Sequence, residues 1–471
     1  METRKAPKTI AFQDFYLRSM SRPSVPELLR HDNIPGARTQ FFEGPIQQAG
    51  PIGCRDPKKV RPLIEQASNY SAMVKSEIAD YCEINNFPPS SSACRLCVEL
   101  SKDQDGSRFL QKKLEGVREN FCAVKKNSEF TNDFEELELY EKEWMWFLSC
   151  VAADLDELAC DQFGNYVVQK FLEEKITHEF LYQRLLKGQV LRMSLHMYGC
   201  RVVQKTVENL HSPFLVFQEL LLSIDQMICD QNGNHVVQKA IEKASDAAFV
   251  RKEQLRNEVN GILLCAPPRQ IFLFEMVEAI LPSIVRFSND KYGCRVVQKF
   301  LETVKVVKAF VPEAAQLEHR LVEAVIRATG ELALDQYGNY VLQHIIQENN
   351  ECSRKIMAFI KENCFGFSTH KFASNVVETV IKVGDASTRQ EMLKIFLDVG
   401  QDAKTKVKKS QKPDIVYMSK DKFGNYVVQQ LYKALDSEGK KKITNTLSKF
   451  SDELKSSHFS KHIIYKLINK L

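Results

Sequence analysis

Eight segments of the 471-residue chain are variations on one phrase. They are DQDGSRFLQKKLE (103–115), DQFGNYVVQKFLE (161–173), HMYGCRVVQKTVE (196–208), DQNGNHVVQKAIE (230–242), DKYGCRVVQKFLE (290–302), DQYGNYVLQHIIQ (335–347), HKFASNVVETVIK (370–382) and DKFGNYVVQQLYK (421–433). Counted from the residue after the glycine (after Ala373 in the seventh), they start at 107, 165, 200, 234, 294, 339, 374 and 425. The intervals are 58, 35, 34, 60, 45, 35 and 51 residues, so the unit is about 35 residues with insertions in four of seven intervals. Such a period marks an array in which each unit buries its apolar face on the next. A length that would otherwise suggest about three globular domains is instead read as one continuous stack.

Each segment reads as a helix with its leading turn. The Asp-x-x-Gly start supplies turn chemistry, with glycine expected to take the positive φ of a tight interhelical turn. At about 100° per residue, Val167, Val168, Phe171 and Leu172 fall on one side of the second segment, and Asn165, Tyr166, Gln169 and Lys170 on the other. The apolar stripe must bury against neighbouring units. Stretches such as FLVFQELLLSIDQMIC (214–229) supply partner helices. The expectation is an all-α solenoid with one repeated polar face.

The ends differ. Half of the sixteen prolines lie in the first 62 residues among Gly, Gln and charged residues, so 1–58 is expected to be a largely disordered tail. Residues 59–471 form the folded domain, with degenerate caps at 60–90 and 434–471 that shield the last apolar faces. An insertion at 116–150 contains an acidic stretch, Glu129 to Glu143, that runs into Trp144 and Trp146. Both tryptophans are expected in the core of that insertion. Residues 243–285 widen the fourth interval, and Lys404, Lys406, Lys408, Lys409 and Lys412 sit in a loop before the eighth unit.

Composition narrows the function classes. Apolar residues at 44% and charged residues at 27% are ordinary for a folded chain. No uncharged apolar run approaches about 18 residues, and the N-terminus lacks a signal-peptide pattern, so neither membrane nor secretion is expected. Thirteen scattered cysteines fit free thiols in a cytoplasmic protein. Cys94-x-x-Cys97 has no second pair and no nearby histidine pair, so zinc is not expected. No phosphate loop, HExxH or nucleophile with its base occurs, and His370, His458 and His462 show no site geometry, so no enzyme, cofactor or metal is expected. A net charge of +5 (65 basic against 60 acidic residues) is too small to identify a nucleic-acid partner.

The polar face is more informative. Its first, second and fifth positions are Ser107-Arg108-Gln111, Asn165-Tyr166-Gln169, Cys200-Arg201-Gln204, Asn234-His235-Gln238, Cys294-Arg295-Gln298, Asn339-Tyr340-Gln343, Ser374-Asn375-Glu378 and Asn425-Tyr426-Gln429. Positions one and five lie one turn apart on one face and can pinch the edge of a flat ligand. The mostly flat groups at position two can interleave with nucleobases, at roughly 1–3 kcal/mol per base. Uracil, one N–H between carbonyls, suits an Asn–Gln pair; guanine, with adjacent N–H donors, suits a carboxylate; adenine suits a Gln amide beside Cys or Ser. This is the chemistry of single-stranded RNA read at one base per repeat.

On these motifs the chain resembles the Pumilio (PUF) family of RNA-binding proteins over roughly residues 91–471. The resemblance implies a right-handed, crescent-shaped α-solenoid of eight Pumilio-type repeats with degenerate capping repeats, monomeric and running antiparallel to RNA. Carried over repeat by repeat, the family's code gives Asn425/Gln429 for U, Ser374/Glu378 for G, Asn339/Gln343 for U and Cys294/Gln298 for A. It continues with Asn234/Gln238 for U, Cys200/Gln204 for A, Asn165/Gln169 for U and Ser107/Gln111 for A. Stacking falls to Arg108, Tyr166, Arg201, His235, Arg295, Tyr340, Asn375 and Tyr426. The implied site is 5′-UGUAUAUA-3′, or a variant one nucleotide longer, in mRNA 3′ untranslated regions. The implied outcome is translational repression and mRNA decay, through a deadenylase complex and regulatory proteins held near the last two repeats and the 404–412 loop.

Departures bear on this reading. The 60-residue interval between the fourth and fifth triads is expected to flatten the curve and let one base flip out, which with the basic loop resembles the FBF branch of the family. Asn375 is a poor stacking group, although it matches the family's G-reading repeat. Ala373 in place of the turn glycine is expected to alter that turn. The alternatives are a protein-binding solenoid of the armadillo or HEAT kind and a ribosome-biogenesis RNA binder, a group that tends to lose the regular triads kept here.

Overall fold

The computed structural model describes residues 91–127, 133–209, 214–246, 272–348, 351–398 and 412–465. The expected tail at 1–58, the N-terminal cap to residue 90, residues 247–271 of the fourth-interval insertion, and Lys404, Lys406, Lys408 and Lys409 lie outside the described residues. Every regular element among the described residues is helical. None of these helices is long and apolar enough to cross a membrane. The chain divides into two compact units between Leu158 and Ala159.

The eight motif segments form helices α1 (Gln104–Asn127), α2 (Gly164–Phe171), α3 (Gly199–Asn209), α4 (Gly233–Ala244), α5 (Gly293–Val307), α6 (Gly338–Gln347), α7 (Ala373–Val383) and α8 (Gly424–Ala434). In the first unit α1 packs with the helices Ser91–Ser101 and Asp133–Val151, which also pack on each other. Trp144 and Trp146 are fully buried on the last of these, as insertion core. Its Cys150 thiol is held far above the ordinary range, by a hydrogen bond with Cys97 and then by burial.

In the second unit α2 packs on α3, α3 on α4, and so on to α8. The expected apolar stripe is the buried one: Val167, Val168, Phe171 and Leu172 are sealed, as are Val296, Val297 and Phe300 in α5. The 60-residue interval does not part α4 from α5, which pack directly. Repeats two to eight also carry a short middle helix that periodicity did not reveal. The sixth repeat is Ala314–Arg327, Thr329–Leu334 and α6; the seventh is Glu351–Glu362, Cys364–Ser368 and α7. Beyond α8, Ser437–Ser448, within the segment expected as the C-terminal cap, packs on α8 and on Ala386–Leu397.

The turn into each motif helix explains its Asp-x-x-Gly signature, and differs from the expected backbone. Asp290 Oδ1 accepts from the main-chain N–H groups of Tyr292 and Gly293 at 2.8 and 2.7 Å. Asp161, Asp230, Asp335 and Asp421 do the same at 2.7–2.8 Å. These charge-assisted bonds satisfy amides that a helix start leaves without partners. The glycine does not supply a positive φ: among the described residues that conformation belongs to Gly188, at φ 72°. It supplies the absence of a Cβ, which at Gly293 would meet Phe287 O at 2.5 Å and at Gly233 Met227 O at 2.7 Å.

The seventh turn keeps the same form without glycine or aspartate. His370 Nδ1 accepts from Phe372 and Ala373 at 3.3 and 3.4 Å, and the Ala373 methyl is buried. His196 caps the third turn likewise, at 3.2 and 3.1 Å. His370 therefore has a structural role the sequence did not disclose, both histidine turns are looser than the aspartate ones, and Ala373 leaves the form of its turn unchanged. Gly293→Ala forces its methyl into the Phe287 carbonyl and is expected to cost about 1–3 kcal/mol of stability, read as a lower denaturant midpoint.

Candidate nucleic-acid interface

Exposure follows one rule in every motif helix. Position one is buried, position two exposed, position four buried and position five half-buried throughout; position three is buried in α2 to α8 and half-buried in α1, at Phe109. Asn165, Asn234, Asn339 and Asn425 are only 1–4% exposed, so position one is not the open pincer that a helical wheel suggests. Its burial has a cause in the turn. Asn165 Nδ2 donates to Asp161 O at 2.8 Å and Gln162 O at 3.0 Å. Asn234, Asn339 and Asn425 repeat the pair at 2.8–3.0 Å. Carbonyl oxygens only accept, which fixes the orientation of each amide.

Each asparagine is thereby left with its acceptor facing position five. Gln169 Nε2 donates to Asn165 Oδ1 at 2.8 Å; Gln238, Gln343 and Gln429 do so to their asparagines at 2.9, 2.9 and 3.1 Å. The Cys and Ser repeats are wired differently. There Gln204, Gln298 and Gln111 donate to the main-chain carbonyls of Cys200, Cys294 and Ser107 at 3.1, 3.0 and 3.2 Å. Burial raises the Cys200 and Cys294 thiols, which stay neutral and offer little beyond a small space. The seventh repeat presents the Glu378 carboxylate, 3.6 Å from Lys382 Nζ, beside Ser374.

Position two forms an exposed row in the second unit. Tyr166 and Tyr340 are 53% and Tyr426 60% exposed, large fractions for aromatic rings in a folded chain. Arg201, His235, Arg295 and Asn375 are exposed as well, and Arg108 in the first unit matches them. Partial burial, then the neighbouring Arg201 and Arg295 charges, depress the basicity of the His235 ring. The three side chains are thus close enough to interact across α3, α4 and α5.

Positions six and nine were not singled out from sequence. Lys170 and Lys205 lie 2.8 and 3.7 Å from Glu173; Lys239 and Lys299 lie 3.0 and 3.2 Å from Glu242. The i,i+3 spacing of Lys and Glu was visible signal, but the cross-helix half was not. Partial burial of Glu242 is outweighed by Lys239 and Lys299, which hold its carboxyl below the ordinary range. The sixth position changes to His344, Thr379 and Gln430 in α6 to α8.

Removing a buried turn amide should hurt more than removing a half-buried one. Asn234→Ala removes the side-chain donor from the Gln231 carbonyl and leaves Asp230 O with only the main-chain N–H of residue 234, and is expected to cost about 1–3 kcal/mol. Gln238→Ala should cost less in the same denaturant titration.

Comparisons with known proteins follow this geometry. Residues 97–121, 155–175, 189–213, 223–249, 283–306, 330–358, 363–395 and 414–447 match the Pumilio-family RNA binding repeat, one match to each motif helix. A Pumilio domain-containing protein of Schizosaccharomyces pombe is 26% identical over 391 residues, covering 80% of this chain and 47% of that protein. The chain spans about half the length, or less, of the curated relatives it matches first. Among solved structures, PUF-8 in complex with PBE-RNA is similar at TM-score 0.58 and 29% identity, over 80% of this chain and 93% of that one. The Puf3 RNA binding domain bound to a Cox17 RNA 3′ UTR recognition sequence gives 0.57 and 28%, over 86% and 99%. Eight matched repeats on eight helices that bury position one and expose position two lead to one conclusion: the chain belongs to the Pumilio family of RNA-binding repeat proteins.

Proposed function

We propose that the chain is a sequence-specific single-stranded RNA-binding regulator. It reads one base per repeat at an element of the form 5′-UGUAUAUA-3′ in mRNA 3′ untranslated regions, and represses translation there without chemistry of its own. The observation that carries this reading is the split wiring of position five. In the Asn repeats a fixed acceptor, Asn Oδ1, sits beside a glutamine donor, which suits the N–H and flanking carbonyl of uracil. In the Cys repeats only the glutamine amide offers strong polar atoms, and in the Ser repeat the Ser107 hydroxyl is turned to Gln104 O at 3.1 Å; the amide suits the amino group and ring nitrogen of adenine. Glu378 offers acceptors alone, which suits the two adjacent donors of guanine.

The RNA complexes of the similar proteins, PUF-8 with PBE-RNA and Puf3 with a Cox17 RNA 3′ UTR recognition sequence, support the substrate class. α4 packs directly on α5, with Lys299 beside Glu242, an arrangement that serves an eight-base site and one with a flipped base alike. Selecting bound RNAs from a random pool tests the reading, since the enriched motif reports base and register together. Affinity should also fall with salt, with a log–log slope of about −0.7 per phosphate contacted; a protein-binding scaffold would enrich no motif.

Two substitutions test individual repeats. Glu378→Gln should weaken the preference for G at the second base, because an amide has only one accepting atom for two donors; competition binding with second-base variants measures it. Tyr340→Ala should weaken binding by about 1–3 kcal/mol through lost stacking, measured as the change in Kd.

A further inference from the structure

We infer that Thr379 is a positioning residue that holds the Gln343 amide in one orientation and so sharpens the choice of base at the sixth repeat. The inference rests on the base-reading role proposed above. Its basis is a relay of hydrogen bonds whose direction is set at the turn. Asn339 Nδ2 donates to the carbonyls of Asp335 and Gln336 at 2.9 and 3.0 Å. Asn339 Oδ1 therefore accepts, from Gln343 Nε2 at 2.9 Å. Gln343 Oε1 then lies 3.1 Å from Thr379 Oγ1, which donates to it from the neighbouring helix α7.

Thr379 Oγ1 also lies 2.9 Å from Asn375 O, four residues back. A hydroxyl carries one hydrogen, so the two acceptors share it, a three-centre arrangement common in helices. Turning the Gln343 amide over would place Nε2 against Thr379 but Oε1 against Asn339 Oδ1, and the turn carbonyls prevent Asn339 from turning with it. The relay has one self-consistent direction.

The other Asn repeats lack this last link. Among the described residues no hydrogen bond reaches Oε1 of Gln169, Gln238 or Gln429. The residues that match Thr379 in α3 and α5 are Lys205 and Lys299, and both turn to glutamates, Glu173 and Glu242. Thr379 is short, 5% exposed, and reaches the glutamine instead. Uracil and cytosine differ at this edge by exchange of donor and acceptor, so an amide that cannot turn over is one that rejects cytosine.

The test uses the full chain and 5′-UGUAUAUA-3′ RNAs that vary at the third base, opposite α6, or the second, opposite Glu378. Thr379→Val, nearly isosteric but without the hydroxyl, should lower the U-over-C preference at the third base about three- to tenfold, the worth of one neutral hydrogen bond. Thr379→Ser should keep the preference, and G at the second base should stay preferred in both variants. Unchanged U-over-C preference in Thr379→Val overturns the inference and leaves the RNA reading standing. Equal loss at both bases overturns it too, as a general disturbance of α7. A wild-type protein indifferent to the third base overturns the base-reading role itself.

Discussion

The capture of two main-chain N–H groups by one side chain at the head of each motif helix is the interaction on which the rest depends. An aspartate does this at 2.7–2.8 Å in most repeats, and a histidine nitrogen does it more loosely in two. The turn so formed brings the helix against the backbone of the preceding short helix, closely enough that a Cβ on Gly293 or Gly233 would collide with a carbonyl. That approach buries position one and exposes position two. It also aims two carbonyls at the asparagine amide, which sets the donor–acceptor sense of everything beyond it. The donor–acceptor sense of the polar face is thus decided by backbone groups, and under the proposed function so is the chemistry offered to a base.

The base code proposed above would thereby have a physical footing within a single chain. Asn and Cys at position one do not only offer different edges; they hand the same glutamine to different partners, a side-chain acceptor in one case and a main-chain carbonyl in the other. Position five can then change its meaning while its residue stays the same. Lysines at position six are engaged by glutamates on their own and the adjacent helix from α2 to α5, so the modest net charge is not concentrated there, and the proposed base reading falls to neutral amides.

Much of this was legible in the sequence, and what was not has identifiable causes. The eight motif helices, their apolar stripes and the triads follow from self-similarity and a period near 3.6 residues. The middle helices, such as Ile224–Ile228 and Cys364–Ser368, are too short to show a period. Glycine was assigned to the turn for its conformational freedom, whereas the structure uses its lack of a side chain; sequence cannot tell these apart, because the colliding carbonyl lies on another element. A helical wheel placed Asn165 on the polar side correctly but could not show that its own turn covers it. The link from Gln343 to Thr379 spans 36 residues between helices, beyond any spacing rule within one helix.

Direct packing of α4 on α5 across a 60-residue interval separates the pitch of the array from the length of its connections. Closing a longer flexible connection costs little, about 0.6 kcal/mol for each doubling in length, whereas shifting a motif helix would break its turn, its stripe and its neighbour's at once. Chain length between repeats is therefore a nearly neutral dimension, in which new segments can be gained, lost or exchanged over generations while the reading frame of the array is held constant.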